Sequence, residues 1–375
     1  MSISFPQSVA YIYSDSLIKQ CDILPTMLNR ASIVHNLIES YGLIDKDNLS
    51  LVLSQEATED ELKLFHSTSY IEFLKKVNNM LDFDEVYDEQ DEYGLGYDCP
   101  ILPHNYDFIK TIAGGSLTGA KLLNQKLYRI VVNWFGGWHH AQRDEAEGFC
   151  YVNDVVIAIQ ELTKTFNKIL YLDLDVHHGN GVQNAFEYSN KILTLSFHEF
   201  SPGFYPGSGS IDEVGSKNGK YYTINVPFVN MISDKNYIKL FDAIFPKIVE
   251  CFKPECLVVQ CGADGLYGDP IGKNNLTLYS YGHCIKRVLQ CNLPTLYLGG
   301  GGYNFPNTAR LWAYLTSLIL KTELEDDIPD DCQYFTKFGP TFELHLDPSF
   351  QKDKNEGSYI DTVIDKILSY CEYIV

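Results

Sequence analysis

Four short segments of this 375-residue chain gather side chains able to do acid–base or metal chemistry. GGWHHA carries His139 and His140, YLDLDVHHG carries Asp173, Asp175 and His177, QCGAD ends at Asp264, and LGGGGYN contains Tyr303. A D-x-H spacing after a strand can place two ligand atoms on one side; Asp175 and His177 fit it, and Asp264 can supply a third ligand. Two carboxylates and one imidazole leave a position open on Zn²⁺, as catalytic sites do. The same oxygen and nitrogen donors tolerate Fe²⁺ or Co²⁺. An isolated D-x-H more often serves structure, so the weight rests on the segments together. His139 and His140 need other roles. Consecutive histidines are expected to point apart, and Asp173 and Asn180 remain to partner them. A carboxylate or amide accepting from Nδ1–H fixes the tautomer and leaves Nε2 facing a substrate. The run Gly299 to Gly302 lacks the Lys and Ser/Thr of a P-loop. It is expected to allow close chain approach and to let Tyr303 move.

These segments follow apolar runs that predict strands: Ile130 to Trp134, Ile169 to Leu172, Ile192 to Phe197, Leu257 to Gln260 and Thr295 to Leu298, with Tyr221 to Val226 as a further candidate. Helical periodicity appears at Val155, Val156, Ile159, Leu162 and Phe166, and at Ile33, Val34, Leu37, Ile38 and Tyr41. It recurs at Leu311, Trp312, Leu315, Leu318 and Ile319, and at Val363, Ile364, Ile367 and Leu368. Strands alternating with helices predict an α/β fold, a mostly parallel sheet with helices on both faces. The polar segments then sit beyond the carboxyl ends of the strands, where such sheets form their sites. No repeat and no Pro/Gly/Ser linker divides the chain, so residues 1–375 are expected to form a single domain.

Composition narrows the partners. Asp and Glu total 49 against 29 Lys and Arg, a net charge of -20, which offers no basic stripe for nucleic acid and favours basic peptides. The densest acidic run is Asp82 to Glu92, read either as a solvated loop or as a rim attracting a cationic substrate. The first residues lack a signal-peptide pattern, no apolar stretch is long enough for a spanning helix, and ten cysteines are too sparse for a disulfide scaffold. A nuclear and cytoplasmic location is expected.

NWFGGWHHAQRDEAEGFCYVND, YLDLDVHHGNGVQNAF, SPGFYPGSG, QCGADGLYGDP and LGGGGYN resemble, in order, the motifs of the zinc-dependent histone deacetylases, most closely class I. The resemblance runs from about Ala10 to Val375. It implies an arginase-like α/β fold and hydrolysis of N6-acetyl-lysine in histones and other proteins. It implies Asp175, His177 and Asp264 as zinc ligands, His140 as general base and then acid, and His139, oriented by Asp173, as its electrostatic partner. Tyr303 would donate to the developing oxyanion. Phe149 and Tyr205 would line the acyl-lysine tunnel with Gly148 at its wall, alongside Trp138, Ile271 and Gly301, and Asp98 would hold substrate backbone amides at the rim. Asp173, Asp175, His177, Ser196 and Phe197 match an inner potassium site, and Phe186, Ser189, Ile192 and Tyr222 an outer one. Arg30 matches an arginine of the internal channel beneath the site.

Three positions depart from the class I pattern. Asn180 stands where Asp is usual; a neutral amide supports an imidazolium less than a carboxylate does, so His140 is expected to titrate lower. Ile271 replaces leucine or methionine and stiffens that wall. Tyr205 adds a hydroxyl to the common phenylalanine. An acetylpolyamine amidohydrolase shares the fold and metal chemistry and is the alternative enzyme. An inert acyl-lysine-binding scaffold would have lost a ligand or the tyrosine, and neither is lost. The acidity of the chain is a poor match for relatives that need corepressors and a basic inositol-phosphate groove, so no obligate corepressor is expected.

Overall fold

Each of the strands expected from an apolar run forms, and two more join them. The computed structural model describes residues 8–80, 87–347 and 349–374; Asp82 to Val86 of the acidic run lie outside the described residues. Among these, eight strands make one sheet: β1 (Val9–Tyr13), β2 (Leu49–Leu53), β3 (Ile130–Asn133), β4 (Ile169–Asp173), β5 (Ile192–Glu199), β6 (Thr223–Phe228), β7 (Cys256–Gln260) and β8 (Thr295–Leu298). Their order is β2-β1-β3-β8-β7-β4-β5-β6, with every neighbouring pair parallel. The central strands β4, β7 and β8 are buried along their whole length, which is why they read as continuous apolar runs. The strands not expected from sequence were β1 and the edge strand β2, where Leu51 and Leu53 face solvent.

Helices cover both faces. Asn105–Asn124 lies on β1, β3 and β8, Arg30–Ser40 packs on Phe305–Leu320, and Asp234–Phe252 packs on Gly357–Cys371. The periodic faces named above fall on these helices, with Tyr41 as the C-cap of Arg30–Ser40, and on Asp154–Leu162. Phe166 lies past the end of the last of these, with its N–H turned back to the Leu162 carbonyl at 3.0 Å. All ten thiols are free, and no described helix is long and apolar enough to cross a membrane.

The strand order does the positioning. β7 and β8 come late in the chain yet enter the centre of the sheet, between β3 and β4. The four strands that lead into the polar segments are therefore four consecutive neighbours. Their last residues also share one register row: Asn133 pairs with Leu298, Leu298 with Gln260, and Gln260 with Asp173. Segments up to about 170 residues apart thus leave the sheet side by side, at the topological switch where α/β sheets bind ligands.

Candidate active site

The loop after β3 is folded onto the start of the helix Asp154–Leu162. The buried Asp154 carboxylate accepts from the Gly137 and Trp138 amides at 3.0 and 2.8 Å and from the Ser116 hydroxyl. Asn153 caps the helix through Val156 N–H at 3.0 Å, and its amide donates to the Ala141 carbonyl at 2.9 Å. Held this way, the two histidines do not point apart as expected. Their Nε2 atoms approach to 3.0 Å, because this segment is a clamped turn and not a strand, and each ring is anchored by its other nitrogen. His139 Nδ1–H donates to Asp173 at 2.8 Å, where the Tyr171 hydroxyl also donates at 2.7 Å. His140 Nδ1–H donates to the Asn180 side-chain oxygen at 2.8 Å.

Two bare lone pairs at that distance would repel, so a proton lies between the rings. Burial opposes charge on His139, but Asp173 and Asp175 carry its pKa up to about 9. Burial, and then the neighbouring His139 and His177, push His140 well below the ordinary range; the bond to Asn180 works in the opposite direction and is outweighed. The proton therefore belongs to His139, and His140 is a neutral imidazole in a position to act as a base.

Asp175, His177 and Asp264 converge beside this pair, with ligand atoms within 4.8 Å of one another and all three buried. His177 Nδ1 lies between the carboxylates, 3.2 Å from Asp175 and 2.9 Å from Asp264, and its ring stacks on Phe204 at 5.1 Å. Backbone and amide donors fix the acids. Asp175 accepts from Gly301 N–H and from the Gln260 amide, both at 2.9 Å, and Asp264 from Val176 N–H at 3.0 Å. Burial and the charge of Asp175 push the Asp264 pKa upward. Two carboxylates that resist joint ionisation, set against one imidazole nitrogen, fit a divalent cation in both donor type and charge.

Above this cluster, Asp98, His140, Gly148, Phe149, His177, Tyr205, Ile271 and Tyr303 line one pocket. Gly148 (φ 56) and Phe149 (φ 67) turn the chain through consecutive left-handed residues. A Cβ at Gly148 would fall 2.5 Å from the Tyr205 hydroxyl and 2.6 Å from the His140 ring, so only glycine leaves this wall open. Asp98 accepts from Gly148 N–H at 2.9 Å. Phe149 meets Tyr303 edge-on at 5.7 Å. Ile271 is 38% exposed at the mouth. Trp138 is buried lower down, in a second chamber shared with Arg30, Met27 and Gly301. Arg30 donates to the Gly300 and Gly302 carbonyls at 2.9 and 3.0 Å and lies over Trp312.

The remaining predicted positions lie away from the pocket. Ser196 pairs with Asp173 across β4 and β5, and Phe197 follows it. Phe186 ends the helix Asn180–Phe186, Ser189 Oγ accepts from Ile192 N–H at 3.3 Å, and the Tyr222 carbonyl accepts from Thr194 N–H at 2.9 Å.

Sequence reasoning missed several supporting residues, Gln260 and Asp269 among them. Gln260 is the polar end of an otherwise apolar strand, a signal available in the sequence. Asp269 carries no such mark, yet it accepts from the amides of Ile271, Gly272, Tyr303 and Asn304 at 2.9, 2.9, 2.7 and 3.3 Å, tying the mouth to the tyrosine.

Comparison with known proteins agrees with this geometry. Residues 24–319 match the histone deacetylase domain. Histone deacetylase 8 of Xenopus tropicalis is 43% identical over 366 residues, covering 97% of this chain and 98% of the relative. Histone deacetylase 8 of Danio rerio is 41% identical over 98% of this chain and 96% of its own length. Histone deacetylase B of Dictyostelium discoideum is 42% identical over 92% and 81%. With its parallel α/β sheet and its buried Asp175–His177–Asp264 cluster, the chain belongs to the zinc-dependent histone deacetylase family, in class I.

Proposed function

We propose that this metal-dependent acetyl-lysine deacetylase acts on acetylated basic peptides, histone tails among them, through the pocket between Asp98 and Tyr303. The observation that carries the reading is the meeting of a neutral His140 and the Asp175–His177–Asp264 cluster at the base of one aromatic pocket. The pocket walls suit the apolar stem of an acyl-lysine, whereas a charged lysine would have to shed water to enter. Asp98 is set at the rim to accept from substrate backbone amides. Zinc is the proposed metal; when bound, it makes water nucleophilic at neutral pH and polarises the amide carbonyl.

The chain's own groups supply the rest. Once its Nε2 gives up the contact with His139, His140 takes a proton there and returns it to the departing lysine amine. His139, charged and bonded to Asp173, steadies the negative charge that develops beside it. Tyr303 donates a hydrogen bond to the oxyanion. Potassium is proposed at the inner group from Asp173 to Phe197 and the outer group from Phe186 to Tyr222, supported by the family resemblance. Nuclear and cytoplasmic residence belongs to the same proposal.

The test is acetate release from an acetyl-lysine peptide by purified protein of measured metal content. Tyr303→Phe should lower kcat by about 10²–10³-fold, the cost of one oxyanion donor; unchanged turnover overturns the mechanism. Preference for acetylspermidine over the peptide would reassign the substrate.

A further inference from the structure

Two of the departures from the class I pattern meet at one residue to which neither the resemblance nor the mechanism gives a role. Glu147 accepts from the Asn180 side-chain amide and from the Tyr205 hydroxyl at the same oxygen, both at 2.8 Å. Its other oxygen accepts from the Gln142 amide at 2.7 Å. That amide also donates to the His140 carbonyl at 3.0 Å. Glu147 lines neither the tunnel nor the chamber below it.

An asparagine side chain can present either its oxygen or its NH₂ to a neighbour. Only the oxygen, facing His140 Nδ1, keeps the ring proton there and leaves Nε2 unprotonated on the side of His139 and the pocket. A carboxylate on the far side of Asn180 settles the choice, since an ionised carboxylate only accepts and so draws the NH₂ to itself. We propose that Glu147 is a positioning residue that fixes the Asn180 amide, and through it the His140 tautomer, while holding Tyr205 against the base. The ring of Tyr205 meets His140 edge-on at 5.0 Å, so one carboxylate sets both the base and the wall beside it.

The arrangement also accounts for asparagine at position 180. An aspartate there would place a carboxylate oxygen at the 2.8 Å contact now made by the Asn180 NH₂, facing Glu147 with no donor between them. The two residues should therefore show opposite-sign coupling. Aspartate at 180 needs no orienting partner, so it is harmful beside Glu147 and restorative without it.

The inference rests on the deacetylase reading, and its test has two independent readouts. Glu147→Ala and Asn180→Asp should each lower kcat about tenfold, with KM changed less, the scale of one hydrogen bond to a charged group. The double variant should return to within about threefold of wild type. Losses that multiply in the double variant overturn the proposal. Separately, ¹⁵N NMR of histidine-labelled protein, with the His140 ring assigned by its loss in His140→Ala, should show only the Nδ1–H tautomer in wild type and a mixture in Glu147→Ala. A pure Nδ1–H ring in Glu147→Ala also overturns it. Should wild type release no acetate, the deacetylase reading falls, while the tautomer spectrum still decides the role of Glu147.

Discussion

Gly301 offers the sharpest test of how the metal cluster is held, because its failure can be worked out from contact distances. A Cβ built there lies 2.0 Å from Asp264 Oδ2 and 3.1 Å from Asp175 Oδ2. Real Cβ atoms do not approach a heavy atom closer than 3.0 Å, so Gly301→Ala must displace the Asp264 carboxylate or its own backbone by about 1 Å. Neither can yield cheaply. Asp264 is tied to Val176 N–H at 3.0 Å and to His177 at 2.9 Å, and Gly301 N–H is itself a donor to Asp175 at 2.9 Å. Moving Asp264 disturbs two of the three ligands, Asp264 and His177, and moving the backbone takes the amide donor from the third, Asp175. Displaced groups that orient ligands typically cost about 10–100-fold in metal affinity, and a misplacement of about 1 Å about 10²-fold in rate. The assay is zinc retention against a competing chelator, followed by kcat/KM with zinc in excess, with circular dichroism confirming the fold. Gly357→Ala is the control, since nothing lies within 4 Å of a Cβ there. Wild-type zinc affinity and turnover in Gly301→Ala would refute the argument that this close approach shapes the cluster.

Two further outcomes follow from acids outside the cluster, the buried Asp269 and the half-buried Asp353. Asp269→Asn replaces one acceptor oxygen by a donor facing bound backbone amides, so it should cost about 1–3 kcal/mol in a urea titration and lower kcat by loosening Tyr303; unchanged stability would count against the clamp. At Asp353, burial opposes ionisation, but bonds from Ser233 and Asn355 outweigh it and hold the pKa below the ordinary value. A depressed folded pKa stabilises above the unfolded value near 4, and that stabilisation is lost as pH falls through the folded value. Wild type should therefore exceed Asp353→Asn in stability at pH 7, with the gap closing below about pH 4; a gap independent of pH would refute the assignment.

The parts of this molecule that could be read from sequence are those whose information is local. Thr295–Leu298 is apolar because β8 is buried on both faces, so the run and the strand coincide. Asp175 and His177 are two residues apart, and their shared bond is a short-range fact. β2 escaped because an edge strand leaves Leu51 and Leu53 exposed, which dilutes the pattern that reveals a strand. The convergence of His139 and His140 escaped for another reason. Side-chain direction in a turn depends on what holds the turn, and Asp154 and Asn153 are supplied by the following helix. Asp269 binds Tyr303 across 34 residues and Glu147 binds Tyr205 across 58. Nothing in the spelling of either segment announces those contacts, since the sheet order creates them.

The same order explains how so many acids remain buried at the site. Asp173, Asp175 and Asp264 are all fully or almost fully enclosed, and burial alone would neutralise them. Each is instead met by a backbone amide: Asp173 by Asp175 N–H at 3.1 Å, Asp175 by His177 N–H at 3.0 Å, and Asp264 by Val176 N–H at 3.0 Å. All three donors belong to the turn leaving β4. That turn can reach Asp264 only because β7 lies next to β4, in the pairing of Gln260 with Asp173. Backbone amides do not reorient when charge moves, so the carboxylates are held ready and need not be gathered during reaction. A single turn of peptide between two adjacent strands thus sets the geometry on which both the metal cluster and the charged His139 depend.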